Sequence, residues 1–301
     1  MKRIAALLVV MGACLLVPLS AQAGGVDSKR VEQSREDVVS YWTAERMRNA
    51  KPVERKRDPF GKPAATAGGG KKTTTGAATE VPAPYTVFPT STNGKVFFTD
   101  NGVNYVCSGT AIESANESVV WTAGHCVNEG PGVYYTNWAF VPAYRDNVRP
   151  YGTWAAKSLH TTTTWQSQGD FSYDLGAAAV SPSNATTLTD TVGGRSLAFN
   201  GPRSQRYNSF GYPAGSPFNG QRLWKCDSSL YTSDSSTSPQ TMGIQCNMTG
   251  GSSGGGWVGA SDPLARVYSV NSYGYSSLRN VMFGPYQGDL AQQLFATAAA
   301  G

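Results

Sequence analysis

Histidine is nearly missing from this chain: 301 residues hold two, His125 and His160. None of the five cysteines forms a Cys-x-x-Cys pair. Structural zinc sites are built from such pairs and from histidine clusters, so no metal site is expected. Beyond the first residues, no apolar run approaches the roughly 20 residues a membrane-crossing helix needs, so no membrane segment is expected. A basic patch for nucleic acid is lacking as well. Residues 1–84 carry 14 Lys and Arg against 8 Asp and Glu, interspersed, and residues 85–301 carry 11 against 12. The net charge of +5 therefore belongs to the leading segment and does not mark a nucleic-acid surface. No internal repeat is present, and after residue 84 only the tail shows a helical period.

The segments themselves divide the chain in three. Residues 1–23 have a basic start (Lys2, Arg3), an apolar run to about Pro18 and the small-residue sequence Ala21-Gln22-Ala23. That pattern predicts a cleaved secretory signal and a secreted protein, extracellular or periplasmic. Cleavage removes Cys14 and leaves Cys107, Cys126, Cys226 and Cys246, an even set that predicts two disulfides in an oxidising compartment. Four cysteines permit three pairings, which spacing does not distinguish.

Residues 24–84 predict a leader. Within it, 28–49 suggest a short helix with scattered apolar positions (Val31, Val38, Val39, Trp42, Met47). The stretch that follows is rich in Gly, Pro, Ala, Thr and Lys and predicts a disordered linker. Its "ERKR" and "GGGKK" runs would be open to proteases in such a loop, so the segment is expected to be a propeptide. Residues 85–301 contain many short strand-like runs separated by Gly, Asn, Pro and Ser turns, among them "KVFFT", "NYVCSGTAI" and "RVYSVNSYGY". They predict an all-β domain, a sandwich or a pair of barrels. The tail closes it with a short helix placing Leu290, Leu294 and Phe295 on one face.

Three stretches carry chemistry. "VVWTAGHCV" places His125 directly after a strand, "SYDLGAAAV" heads a strand with Asp174, and "CNMTGGSSGGGW" sets Ser253 in a glycine-rich turn. Each alone has a plainer explanation: a structural histidine, a strand start, a flexible loop. In this order they resemble the trypsin-like (chymotrypsin-type) serine proteases. "TAGHC" is similar to that family's histidine motif, "DLGAAAV" to the segment after its aspartate, and "GSSGGG" to its "G-D-S-G-G-P". "GYPAGSPFNGQRLWKC" and the leader further resemble its secreted bacterial and fungal branch.

The resemblance implies two six-stranded antiparallel β-barrels with a short C-terminal helix. It implies Ser253 as nucleophile, His125 as general base and then acid, and Asp174 as the group fixing the imidazole. The amides of Gly251 and Ser253 would form the oxyanion hole. Ser252 and Asp170 are the weaker alternatives for nucleophile and acid. It also implies a Cys107–Cys126 disulfide beside the histidine, leaving Cys226 with Cys246. "NSYGY" resembles the family's substrate-pairing strand, so Ser272 and Gly274 would contact substrate. The pocket position that holds an acid in trypsin is Asn247, followed by Met248, which argues against a buried carboxylate selecting Lys or Arg. Ser252 stands where the family commonly has Asp, so activation by a new amino terminus pairing with that Asp is not expected. His160 is expected at the surface.

The expected activity is a secreted serine endopeptidase acting on protein or peptide substrates as a monomer, without cofactor or metal. The alternative is an inactive relative serving as a secreted binding or adhesion module with an aromatic-rich surface.

Overall fold

A computed structural model describes residues 24–57 and 76–301. The expected signal, residues 1–23, "GGGKK" and most of the expected linker lie outside the described residues.

Six strands make the first half of the domain: Asn93–Asp100, Val103–Ile112, Val119–Thr122, Thr136–Pro142, Trp154–Thr162 and Gly176–Val180. Their antiparallel pairings run in a ring, since Thr136–Pro142 pairs with both Asn93–Asp100 and Trp154–Thr162, so this sheet closes into a barrel. Alternate side chains of a strand point to opposite faces. Accordingly Val96, Phe98, Cys107 and Phe140 fill the barrel, while their neighbours Phe97, Val106 and Val141 form a second cluster on the outside.

The second half is an antiparallel sheet of Arg206–Gly211, Trp224–Asp234, Thr241–Gln245, Gly256–Gly259, Val267–Val270, Tyr273–Tyr275 and Leu278–Gly284. Its path begins at Val267–Val270 and reaches Tyr273–Tyr275 through the other five. Those two end strands are one run of chain interrupted only at Asn271 and Ser272, so the sheet curls enough to bring its two ends next to each other. Cys107 joins Cys126 and Cys226 joins Cys246, as the resemblance implied. With partners 19 and 20 residues apart, each bridge is worth about 3 kcal/mol in chain-entropy terms. The C-terminal helix Asp289–Ala300 lays Ala291, Leu294 and Ala298 on the first barrel, a stripe of period three to four.

The leader departs from expectation. Instead of one helix, residues 26–49 form a strand, Val26–Arg30, and two helices, Arg35–Tyr41 and Ala44–Asn49. Thr43 separates the helices because its hydroxyl accepts from the Arg46 amide and caps the second. Val38, Trp42 and Met47 are fully buried over Phe97 and Val106, which explains why both faces of those barrel strands are apolar. The start of the expected linker is ordered as well. Lys51–Pro52 pairs in parallel with Tyr105–Val106 on the first half, and Lys56–Arg57 pairs in parallel with Gly274–Tyr275 on the second. Residues 24–57 thus wrap one half and cross to the other, and "ERKR" lies paired in a cleft and not in an open loop. Beyond residue 75, Thr79–Glu80 pairs with Trp224–Lys225.

Candidate active site

His125 sits in a single turn, Gly124–Cys126, at the end of strand Val119–Thr122 and is fully buried. The disulfide from Cys126 to Cys107 ties this turn to the neighbouring strand. Asp174 leads into strand Gly176–Val180, and two bonds of 2.7 Å orient the ring. The carboxylate Oδ1 accepts from the His125 backbone amide, and Oδ2 meets His125 Nδ1. A third donor, Ser272 Oγ, reaches Oδ2 at 2.5 Å. Burial disfavours the charged carboxylate, yet the histidine and these hydrogen bonds outweigh it and hold Asp174 below the ordinary carboxylate value.

Ser253 lies on a turn that only glycine can make. Gly251 and Gly254 have φ of +94° and +80°, and a Cβ on Gly254 would collide with Thr122 Oγ1 and the Ser108 carbonyl. The turn is stitched to residues next to those that hold the other two groups. The Ser253 carbonyl accepts from the Ser108 amide at 2.7 Å, beside Cys107, and the Gly254 amide donates to the Asn271 carbonyl at 2.8 Å, beside Ser272. His125 Nε2 is buried without a hydrogen-bond partner among the described residues, so no Ser253–His125 bond is made in this leader-docked state. The Gly251 amide is already engaged: it donates to the carbonyl of leader residue Val53 at 2.9 Å.

No family model matches the chain, and no curated protein does. Among solved structures it is similar to the protease Anisep from Arthrobacter nicotinovorans, 48% identical with a TM-score of 0.67, covering 70% of this chain and 96% of that one. It is also similar to the thermostable serine protease AL20 from an extremophilic microorganism, at 45% identity and a TM-score of 0.66, over 70% and 97% of the two chains. The chain belongs to the chymotrypsin-like serine proteases. A Glu endopeptidase, 21% identical with a TM-score of 0.59 over 74% of this chain and 97% of that one, shares the fold.

The rivals for the site residues of this protease have other employment. Ser252 Oγ donates to the Thr249 carbonyl at 2.7 Å, and Asp170 caps the Phe171–Tyr173 turn by accepting from the Ser172 amide at 2.9 Å. Asn247 and Met248 line a cleft of about 400 Å³ together with Ser253 and Gly274. Asn247 Oδ1 accepts from the Ala78 amide at 2.7 Å, and Met248 is buried in the second half's core. Of the pair proposed to meet substrate, Ser272 turns its hydroxyl to Asp174, while the Gly274 amide donates to the leader's Arg55 carbonyl at 3.2 Å. Cys107, His125 and Cys126 cluster within 4.8 Å, but the two sulfurs are bonded to each other and offer no thiolate to a metal.

His160 is not at the surface. It is 4% exposed because leader strand Val26–Arg30 covers it, with Ser28 Oγ on Nδ1 at 2.7 Å and Ser158 Oγ on Nε2 at 2.8 Å. Desolvation lowers its pKa to about 4. One positioning residue went unread in the sequence. Asn271, fully buried, donates from Nδ2 to the carbonyls of Phe210 and Ser252 at 2.9 Å and accepts at Oδ1 from Ser209 Oγ and Trp257 Nε1 at 2.7 Å. It clamps the serine turn against two strands. The only trace of this in the sequence is a polar residue at the end of an apolar strand.

Proposed function

We propose that this protease is an exported serine endopeptidase, made as a zymogen, that hydrolyses peptide bonds through an acyl-enzyme on Ser253. In this reading Ser253 Oγ attacks the carbonyl carbon of the scissile bond and His125 Nε2 takes its proton. Asp174 holds the opposite nitrogen and stabilises the imidazolium. The tetrahedral oxyanion receives the amides of Gly251 and Ser253, and loss of one such donor typically costs about 10²- to 10³-fold in rate. His125 then returns the proton to the leaving amine, and water repeats the cycle on the ester.

The observation that carries the reading is the buried His125–Asp174 pair, bound at 2.7 Å, together with a glycine turn whose backbone is bonded to Ser108 beside Cys107 and to Asn271 beside Ser272. Two disulfides support maturation in an oxidising compartment, and no helix among the described residues is long and apolar enough to cross a membrane. The zymogen part rests on the leader. Its Val53 carbonyl occupies the Gly251 amide, and residues 54–56 line the cleft where substrate would lie. The two similar proteases match 70% of this chain, leaving unmatched about as much as residues 1–84 contain.

A fluorophosphonate probe reports an activated serine. Processed wild-type protein should label and cleave casein, Ser253→Ala should do neither, and the unprocessed chain should label slowly. Failure of the processed wild type to label would favour the inactive binding module.

A further inference from the structure

At one end of strand Trp224–Asp234, the side chain of Asp234 is fully buried. Its Oδ2 accepts from Tyr273 OH at 2.6 Å and Tyr275 OH at 2.5 Å, and its Oδ1 accepts from the Ser236 hydroxyl at 2.6 Å and amide at 2.9 Å. Four donors hold this carboxylate in place, and among the described residues its charge is answered by one cation. Arg57 of the leader directs Nη1 to Oδ2 at 3.3 Å, and its guanidinium carbon stands 5.6, 5.6 and 6.0 Å from the ring centres of Phe171, Tyr273 and Tyr275. Nη1 also reaches Ser236 Oγ at 3.2 Å and Tyr275 OH at 3.3 Å. The result is a recess with an anionic floor and aromatic walls, which suits a guanidinium or ammonium group.

Location gives the recess a further meaning. Tyr273 and Tyr275 flank Gly274, whose amide binds the leader backbone, and Phe171 stands three residues before Asp174. The recess therefore opens on the strand edge along which an added chain pairs, and every residue that forms it belongs to the domain. Only Arg57 comes from the leader. Once the leader leaves, a structured carboxylate among three aromatic rings, behind the cleft-lining Tyr273 and Tyr275, is left with no cation among the described residues.

We propose that this recess is a substrate subsite selecting an arginine or lysine side chain away from the scissile bond, and that Arg57 fills it as an internal stand-in until processing. The proposal rests on the endopeptidase reading. It would give the protease a basic preference even though the position that carries an acid in trypsin is the neutral Asn247.

The test compares peptides on processed enzyme obtained from the full chain. A peptide library cleaved by wild type is read for the position at which Arg is enriched. Matched fluorogenic peptides then carry Arg, Lys or the neutral isostere citrulline there. We expect kcat/KM for Arg over citrulline to be at least tenfold, with Lys between, and the ratio to fall towards one in Asp234→Asn and partway in Tyr275→Phe. A ratio near one in wild type, which requires no variant, overturns the proposal, as does a ratio that survives Asp234→Asn. Fluorophosphonate labelling in the same preparations separates the outcomes: labelled enzyme with no Arg preference sinks the subsite alone, and unlabelled enzyme sinks the endopeptidase reading with it.

Discussion

Asp174 Oδ2 is shared by two donors, His125 Nδ1 and Ser272 Oγ. An anion in this position is useful only if it stays ionised while buried, and Ser272 is one of the groups that lowers its pKa against the cost of desolvation. Removing that hydroxyl makes the carboxylate more basic. In processed Ser272→Ala enzyme kcat is expected to fall about tenfold with KM little altered, the loss expected when one hydrogen bond to a buried charged group is removed. An unchanged kcat with a raised KM would instead return Ser272 to substrate contact.

The leader strand Val26–Arg30 is sensitive to pH through His160 beneath it. The ring is neutral when buried, with a pKa near 4 against an ordinary value of about 6.5. A depressed histidine pKa means that the undocked state binds the proton first. The docked state therefore loses stability as pH falls from 6.5 towards 4, and changes no further, on this account, outside that window. The limit is about 300-fold in the docking equilibrium, the ratio set by the two pKa values. Hydrogen exchange at residues 26–30, corrected for intrinsic rate, should show this loss of protection, and His160→Gln should flatten it. Equal pH dependence in both proteins would exclude His160 as its source.

This element also marks where sequence reading ends. The meeting of His125 with Asp174 was legible through the family resemblance that local motifs carry, and the strands because side chains alternate along them. The docking of residues 24–57 was not. Trp42 is one of a few apolar positions in a charged stretch, and its partner Phe97 lies in a different element, so nothing local distinguishes a helix laid on a barrel from a solvated one. His160 was misjudged for the same reason, its cover being 132 residues away at Ser28. Asn271 acts through four tertiary hydrogen bonds of its side chain, none of which leaves a periodic signal.

At the scale of the whole molecule, the chain from Val26 to Arg57 spans both halves of the domain and the cleft between them. Its hold is of two kinds: the apolar contacts of Val38, Trp42 and Met47 on one side, and the strand pairing and Arg57 contact on the other. A cut anywhere in residues 58–75 severs the covalent link between this segment and the domain while leaving every one of those contacts intact. In the proposed zymogen, inhibition then ceases to be intramolecular and becomes a matter of affinity, because tethering had supplied an effective molarity that a free peptide lacks. Nicked protein should stay silent at high concentration and gain activity on dilution, with a lag independent of how fast it was nicked. Activity that tracks the nick itself, undelayed and insensitive to dilution, would place the control at the cut. On the first outcome the surroundings of the enzyme, exported as proposed, become part of its regulation: crowded at the cell, it waits, and dispersed, it works.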